Sequence, residues 1–278
     1  MSFFPKPQLW LADSVAQSLP PGDAFETAMA LHGEIFRDMP GRKTMRVALG
    51  GRDYFIKQHF GVGWAEILKN LVSGKLPVLG AETEWRAIHR LQYLGIATMT
   101  AVGFGKRGLN PATQRSFLLT EDLGEIVSLE DFCRDWADNP PPLQLKRQLI
   151  AAVAHIARSL HDNGLNHRDF YLGHFCLDQQ KLAAGEIRIY LLDLHRMGMR
   201  PTISPSARMK DMAALYFSSM DFGLGWRDHL RFLRLYRNRP LREILVREAR
   251  FWRQVSQRAE VLYVKYQERF VGLPKTRR

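Results

Sequence analysis

The feature that most constrains the fold is a long amphipathic helix that leads directly into a polar turn. In the segment PPLQLKRQLIAAVAHIARSLHDNG, one helical face carries the residues Leu149, Val153, Ile156 and Leu160, which predicts a core helix buried along that face. Gly164 stands where a helix C-terminus usually has glycine, and the turn NHRDF at 166–170 follows at once. The chain is therefore expected to build a helical domain that presents Asp169 just beyond its central helix.

The N-terminal part is predicted to form a small sheet with one principal helix. Its strand signals are short apolar runs separated by tight, often glycine-bearing turns. Five such strands are predicted, at 34–38, 44–49, 53–59, 98–104 and 116–123. The segment AETEWRAIHRLQYLG between the third and the fourth has Trp85, Ile88 and Leu91 at helical spacing, which predicts a helix that ends near Gly95.

After residue 124 the sequence changes to predominantly helical patterns. Helices are predicted for SLEDFCRDWAD, for the long segment described above, and for nearly everything from KDMAALYF onward. The last helix is expected to carry an apolar stripe from Leu245 to Tyr266. We interpret Gly124 as a hinge, so the sequence predicts two domains, 1–123 and 124–278.

The composition of the chain is that of a globular protein from a reducing compartment of the cell. Hydrophobic residues make up 46% of the 278 residues, which is enough for a sizeable core. Cys133 and Cys176 are too few for a disulfide framework, and they favour a reducing compartment. Neither a signal peptide nor an apolar run of about 18 residues is evident, so a cytoplasmic protein is expected.

The charge of the chain indicates the kind of partner. The formal net charge is +12, and residues 226–278 hold 15 Lys/Arg against 5 Asp/Glu. This asymmetry favours an anionic partner, such as a membrane surface, a phosphorylated glycolipid or an acidic protein like acyl carrier protein. A merely solvated helix face is the alternative. No nucleic-acid-binding motif is recognisable, so nucleic acid is not expected as a partner.

A carboxylate in an HRD turn after a core helix is typical of phosphoryl transfer. The acceptor hydroxyl must be oriented and must lose its proton, and Asp169 is the expected catalytic base. Further along, EIRIYLLDLHR predicts a buried strand that ends at Asp193, where kinases place a magnesium ligand. A surface turn and a capping aspartate are the alternatives when each residue is taken alone.

Lys57 in the strand YFIKQ matches the strand lysine that contacts nucleotide phosphates in kinases. An inward-facing lysine needs an anion nearby, and Glu84 on the following helix is the expected partner, with Glu82 as the rival. Four residues occur in the order in which kinases have these groups: Lys57, Glu84, Asp169 and Asp193. That order predicts an α+β, bilobal protein-kinase-like fold, with ATP between a small β-rich N-lobe and a larger helical C-lobe that binds the acceptor.

Less specific positions complete the predicted site. Glu121 and Leu123 close the last N-terminal strand, where a kinase hinge offers backbone groups to adenine. Asp211, at the start of the predicted helix KDMAALYF, has two interpretations. Its carboxylate either accepts hydrogen bonds from backbone N–H groups of the Asp169 turn or only interacts favourably with the positive N-terminal end of its own helix.

The segment NHRDFYLGHFCLD closely resembles the lipopolysaccharide core heptose(I) kinases of Gram-negative bacteria, a branch of the protein-kinase-like fold. LLDLHR downstream and KNLVSGKLPVLGAETEWRAIHRL upstream extend the resemblance over nearly the whole chain. It implies transfer of the ATP γ-phosphate to the first heptose of the inner core, with lipopolysaccharide core and lipid A as acceptor, at the inner face of the inner membrane. It also implies that Asp169 is the base, Asp193 the magnesium ligand, and Lys57 with Glu84 the phosphate-positioning pair.

Two features depart from the general kinase pattern. His174 stands five residues after Asp169, where kinases have a metal-binding asparagine, and it either binds a second metal, contacts the acceptor or only packs. No GxGxxG motif precedes Lys57, so Arg42 and Lys43 in the turn DMPGRK are expected to replace some of its backbone contacts. Another kinase-like small-molecule or protein kinase is the alternative function, and a noncatalytic basic scaffold that binds membrane is the alternative from a different class.

Overall fold

The structure is a computed structural model that describes residues 9–72 and 80–271. Residues 1–8, 73–79 and 272–278 lie outside this described part. They include the outer ends of the two predicted domains and part of the segment KNLVSGKLPVLGAETEWRAIHRL, on which the resemblance partly rests. The chain divides into two compact units. The N-terminal unit comprises the chain up to Tyr93 together with Thr98–Gly124 and Leu194–Arg196, and the C-terminal unit comprises Leu94–Ala97, Glu125–Asp193 and the chain from Met197 onward. The predicted roles of the two domains stay a prediction.

The N-terminal unit is built on a six-stranded antiparallel sheet. Its strands are β1 (Leu9–Leu11), β2 (Glu34–Met39), β3 (Arg42–Leu49), β4 (Arg52–His59), β5 (Ala101–Arg107) and β6 (Arg115–Glu121). They lie in the order β1-β5-β6-β4-β3-β2, so that β4 and β6 are central. The predicted meander of three strands is confirmed as β2, β3 and β4, whereas the short edge strand β1 was not predicted.

Strands β3 and β4 divide their side chains between the two faces of this sheet. Met45 and Val47 of β3 and Tyr54 and Ile56 of β4 point to one face, where they form a buried core with Phe25 and other apolar residues of the unit. Since side chains alternate along a strand, the intervening residues of both strands share the opposite face. That opposite face carries the polar side chains considered below.

The helices of the N-terminal unit are α1 (Asp13–Ala16), α2 (Ala24–Met29), α3 (Gly63–Val72) and α4 (Glu82–Tyr93). Helix α4 is the predicted principal helix, and Trp85, Ile88 and Leu91 are buried as the spacing predicts. The Trp85 ring stacks on Phe104 of β5 with their ring centroids 5.0 Å apart. This stacking holds α4 against the sheet and gives its N-terminal turn a fixed position.

The C-terminal unit is mainly helical. Its helices are α5 (Leu129–Phe132), α6 (Leu143–Asp162), α7 (Gln179–Ala183), α8 (Pro205–Phe217), α9 (Trp226–Arg237), α10 (Leu241–Arg247) and α11 (Ala249–Tyr266). Its strands are β7 (Ile126–Ser128), β8 (Leu165–Asn166), β9 (Phe175–Asp178), β10 (Ile189–Leu191) and β11 (Gly198–Met199). They form the small sheets β10-β9-β7 and β11-β8.

Helix α6 is the predicted core helix, and Leu149, Val153 and Leu160 are buried along it, whereas Ile156 is only half-buried. Gly164, just beyond its end, has a φ of 75°. A Cβ atom at this position would lie 1.9 Å from the carbonyl oxygen of Arg200, so only glycine fits. The chain therefore turns sharply here into β8, which leads to Asp169.

Three predicted helix boundaries were wrong. The segment 128–138 is helical only over α5, and α8 begins at Pro205, capped by Ser204, rather than near Lys210. The predicted last helix is two helices, α10 and α11, that meet at Glu248. Consequently Leu245 is exposed and does not continue the apolar stripe of Val255 and Ala259.

Several broader expectations can be compared with the structure. The predicted α+β class, with a β-rich N-terminal part and a mainly helical C-terminal part, is confirmed. Cys133 and Cys176 are buried free thiols. Within residues 9–72 and 80–271, no helix is both long and apolar enough to cross a membrane.

Candidate active site

The turn that carries Asp169 is held by a buried carboxylate of helix α8. Asp211 accepts hydrogen bonds from the backbone N–H groups of His167, at 2.7 Å, and Arg168, at 3.0 Å. The predicted contact between Asp211 and the turn is confirmed. The predicted position at a helix start is wrong, because Asp211 lies in the middle of α8 and is fully buried.

Arg168 shows why the turn needs this support. Its φ is 73°, a conformation that residues with a side chain adopt only when their surroundings enforce it. Two charge-assisted hydrogen bonds to one carboxylate enforce such a conformation locally. Asp169, the next residue, is thereby held in a defined orientation and is half-buried.

Two further buried side chains stand behind Asp211, and sequence reasoning missed both. His161 at the end of α6 places Nε2 3.4 Å from the Asp211 carboxylate and Nδ1 2.6 Å from the Tyr236 hydroxyl of α9. Burial raises the pKa of the Tyr236 hydroxyl, which therefore stays protonated and can donate to His161. Neither residue belongs to a sequence motif, so only their three-dimensional contact reveals them.

His174 brings Asp169 and Asp193 together within the C-terminal unit. Its Nδ1 lies 2.6 Å from the backbone carbonyl oxygen of Asp169, and its Nε2 lies 3.6 Å from the Asp193 carboxylate. The chain at Asp193 is fixed in turn by Leu192, whose N–H donates to the His174 carbonyl oxygen at 2.9 Å. His174 therefore connects the Asp169 turn with Asp193, which lies 24 residues after Asp169 in the sequence.

The donors at this point fit magnesium only in part. Among the residues that the structure describes, no group of three or more His, Cys, Asp or Glu side chains could hold a metal ion. Magnesium usually takes one or two protein carboxylates and completes its shell with water and substrate phosphates, and it prefers oxygen to imidazole. Asp193 fits such a site, whereas the ring nitrogens of His174 face protein oxygens. The metal role of His174 stays a prediction.

In the N-terminal unit, Lys57 of β4 forms an ion pair with Glu84 of α4. The Glu84 side chain is buried, and the Lys57 side chain is 16% exposed. The rival carboxylate, Glu82, pairs instead with Lys106 at 2.7 Å. The choice of Glu84 as the partner of Lys57 is therefore confirmed, and the contact of Lys57 with nucleotide phosphates stays a prediction.

The predicted adenine contacts lie where β6 ends. The N–H of Glu121 donates to the carbonyl oxygen of Thr100 at 2.9 Å, so this backbone donor is already hydrogen-bonded within the protein. Leu123, two residues on, is half-buried. Their binding of adenine stays a prediction.

The C-terminal unit also contains an apolar cavity of about 280 Å³. Its lining includes Leu149, Val153, Met212, Phe232 and Trp252. None of the predicted site residues lines this cavity, so it is a feature separate from the Asp169 turn.

These features define a phosphotransferase of the protein-kinase-like class. They are a strand lysine paired with a helix glutamate, an HRD turn held by a buried carboxylate, and an aspartate just after a strand. The sequence model of the lipopolysaccharide kinase (Kdo/WaaP) family matches residues 26–236. The chain belongs to this family, and the predicted resemblance is confirmed.

Individual relatives agree with this assignment. A protein of Pseudomonas aeruginosa named lipopolysaccharide core heptose(I) kinase WaaP is 50% identical over 246 residues, which cover 88% of this chain and 92% of that protein. The protein of the same name from Escherichia coli K12 is 48% identical over 239 residues, 86% of this chain and 90% of that protein. A solved structure of WaaP in complex with acyl carrier protein is 44% identical, covers 92% of this chain and 100% of its own, and has a TM-score of 0.80.

Proposed function

We propose that this chain transfers the γ-phosphoryl group of ATP to a hydroxyl of the first heptose of the lipopolysaccharide inner core. The observation that carries the proposal is the Asp169 turn, which Asp211 holds in an unusual backbone conformation next to His174 and Asp193. The acceptor comes from the relatives, since proteins 50% and 48% identical over most of their length are named heptose(I) kinases.

In the proposed reaction Asp169 orients the heptose hydroxyl and accepts its proton. The hydroxyl oxygen then forms a bond to the γ-phosphorus, the bond from that phosphorus to the bridging oxygen breaks, and ADP leaves. Lys57, oriented by Glu84, positions the nucleotide phosphates, and Glu121 with Leu123 contacts adenine. Catalysis rests on positioning and charge neutralisation rather than on a covalent intermediate.

Asp193 is the residue that we propose to hold magnesium, with His174 orienting its carboxylate or adding a ligand. When bound, magnesium neutralises charge on the phosphates. The short connection from β10 and the hydrogen bond of Leu192 to the His174 carbonyl oxygen keep the Asp193 backbone in its unusual conformation, with a φ of 59°.

The test is an Asp169→Ala variant assayed with ATP and purified lipopolysaccharide core. We expect turnover to fall by about 10²- to 10⁴-fold, as for loss of a general base, while nucleotide affinity is nearly unchanged. Asp162→Ala is the matched control, because Asp162 is an exposed aspartate of α6 that pairs with the exposed Arg158, at 3.3 Å. Parental turnover in the Asp169 variant would contradict the assignment.

The acceptor is tested separately, because a kinase-like site also suits small molecules or proteins. Labelled ATP is offered with unphosphorylated core, aminoglycosides and peptides in parallel. We expect label only in the core. Label in one of the other acceptors would move the chain to another kinase class.

We propose further that the chain works at the inner face of the inner membrane through the basic surface of α10 and α11. Arg242, Arg250 and Arg253 are exposed, and no ion pair of theirs occurs within the described part of the chain. Leu245 and Val246, 47% and 72% exposed, lie beside these arginines in sequence. Guanidinium groups with exposed aliphatic side chains suit an anionic lipid surface.

An acyl carrier protein is the proposed protein partner, and a solved WaaP structure with such a partner supports it. Acyl carrier proteins are acidic and bear an apolar chain. The basic surface and the apolar cavity of the C-terminal unit have the complementary chemistry. Co-purification of the chain with acyl carrier protein tests this proposal.

A further inference from the structure

The sheet face that carries Lys57 also carries two basic side chains that the reaction described above does not use. In the antiparallel register of β3 and β4, Arg42 lies opposite His59, and Thr44 lies opposite Lys57. Residues opposite each other share a face, and so do residues two apart in one strand. Arg42, His59 and Lys57 therefore lie side by side on one face, near the β2–β3 turn.

Polar atoms of this group are buried without a partner. His59 is only 4% exposed, and its Nε2 has no hydrogen-bond partner among residues 9–72 and 80–271. Nε of Arg42 is also buried and has no hydrogen-bond partner in this part of the chain. Buried polar groups are nearly always hydrogen-bonded in folded proteins. Their concentration around Lys57 indicates a place that a ligand completes.

The charge of this group defines the chemistry of that ligand. Burial of the ring is the main cause that lowers the pKa of His59, to about 3. The nearby positive charges of Arg42 and Lys57, and then His195, are the smaller causes. His59 is therefore neutral and can donate one N–H, while Arg42 and Lys57 are cations. Glu84 is the carboxylate that pairs with Lys57. Two cations and a neutral donor suit an anion with several acceptor oxygens, such as a phosphate.

The β2–β3 turn explains why side chains are needed here. The turn consists of Pro40 and Gly41, and the φ of 77° at Gly41 is that of a type II turn. A Cβ at Gly41 would lie 2.6 Å from the carbonyl oxygen of Gly61, so the turn is tightly packed as well as short. A two-residue turn cannot fold over a triphosphate and surround it with backbone N–H groups as a longer glycine-rich loop does.

Lys43, the other basic residue of this turn, has a different orientation. It lies opposite Gln58 in β4, on the face that does not carry Lys57, and its ammonium group lies 3.6 Å from Asp38. The sequence predicts Arg42 and Lys43 as substitutes for a glycine-rich loop, and of the two only Arg42 lies on the same sheet face as Lys57. The structure adds His59, which no motif indicates.

We propose that Arg42 and His59, beside Lys57, form a phosphate-binding site that replaces the glycine-rich loop and takes the triphosphate of the nucleotide. This inference rests on the proposed kinase function and names the residues that hold its phosphates. The lipopolysaccharide acceptor also carries phosphate groups. The chemistry that the site recognises is a phosphate, and the experiment below distinguishes a phosphate of the nucleotide from one of the acceptor.

The test compares Arg42→Met with Lys43→Met, which remove one positive charge each from neighbouring residues on opposite faces. Calorimetric titration with ATP, ADP and adenosine is the readout. We expect Arg42→Met to weaken ATP binding by at least about tenfold, as for loss of a charged hydrogen bond, and to leave adenosine binding unchanged. Lys43→Met should bind all three ligands as the parent does.

A second pair of variants addresses His59. His59→Gln keeps an N–H donor and should retain most of the ATP affinity, whereas His59→Leu loses the donor and should bind ATP more weakly. Thermal melting without ligand checks that each variant is folded. Arg42→Lys, which keeps the charge but has fewer N–H donors, replaces Arg42→Met if the latter does not fold; it should bind ATP more weakly than the parent and adenosine equally well.

The outcomes separate this inference from the proposed function. If the parent neither binds ATP nor phosphorylates core, the proposed function fails. If the parent does both, and Arg42→Met either keeps the ATP affinity of Lys43→Met with an unchanged KM for core or loses adenosine affinity equally, only the phosphate site is refuted. If Arg42→Met binds ATP normally but raises KM for core and not for phosphatase-treated core, the site is supported with the acceptor as the source of its phosphate.

Discussion

At the scale of the residue, His59 is a base that the fold keeps neutral. Burial and the neighbouring cations lower its pKa to about 3 from the ordinary value of 6.5. Between these two values the unfolded chain binds a proton that the folded chain does not bind. The free energy of unfolding therefore falls as the pH is lowered, by at most about 1.4 kcal/mol per pH unit for this group. The stability that His59 contributes is present above pH 6.5 and is lost toward pH 3.

We therefore expect His59→Gln to reduce the acid sensitivity of the fold. The measurement is urea unfolding of the parent and the variant at pH 7.5 and at pH 5. The loss of unfolding free energy between the two values should be about 1–2 kcal/mol smaller in the variant. His155→Gln is the control, because His155 is an exposed histidine of α6 and its replacement should leave the loss unchanged. Equal losses in both variants would refute this assignment.

The residues that could be predicted from the sequence are those in motifs. Lys57, Glu84, Asp169 and Asp193 stand in a recognisable order. Within each unit the expected neighbours are found, since Lys57 pairs with Glu84, and His174 lies near both the Asp169 backbone and the Asp193 carboxylate. His59 could not be predicted, because its importance depends on which strand lies beside β4 and in which register. Sequence alternation gives the face of a side chain but not what lies opposite it.

At the scale of the element, three helices meet behind the Asp169 turn. Tyr236 of α9 contacts His161 of α6, His161 contacts Asp211 of α8, and Asp211 holds the turn. All three side chains are buried, so each must be satisfied by the others. The position of the turn thus depends on the packing of helices that are remote in sequence.

Tyr236→Phe tests this chain of contacts. The variant leaves Nδ1 of His161 buried without its partner, so we expect the free energy of unfolding to fall by about 1–3 kcal/mol. We also expect a severalfold loss of kcat with an unchanged KM for ATP, because the Asp169 turn is less well held. Tyr263→Phe is the matched control, since that hydroxyl bonds to exposed Asp221 at 2.7 Å and its loss should change neither quantity. A stability loss without any kcat change would make Tyr236 purely structural.

Prediction from sequence succeeded for long elements and failed for short ones. Helices α4 and α6 have enough turns for their apolar spacing to be read. Strand β1 has three residues and is defined by its pairing with β5, which the sequence does not express. The break between α10 and α11 at Glu248 has no proline or glycine to mark it and is imposed by packing.

At the scale of the whole molecule, the charge is concentrated where the chain ends. Arg247, Arg250 and Arg253 are exposed on α10 and α11, and Arg247 shares Glu243 with Arg239. Such exposed pairs contribute little to stability, so these arginines can be changed without unfolding the chain. Attraction to an anionic surface acts over roughly 8 Å at physiological salt and weakens as salt is added.

Charge reversal of these three arginines to glutamate should therefore weaken the proposed membrane association and leave the fold intact. We expect the parent to bind vesicles that contain phosphatidylglycerol but not neutral vesicles, and to dissociate as the salt concentration is raised. The variant should bind at least about tenfold more weakly, since each basic residue near the membrane surface contributes about 1 kcal/mol. Reversing the exposed residues Arg86, Arg134 and Arg147 changes the net charge equally and should leave binding intact. Equal losses in both triple variants would mean that net charge alone attracts the chain. If the variant loses acyl carrier protein but still binds vesicles, the basic surface serves the acidic protein rather than the membrane.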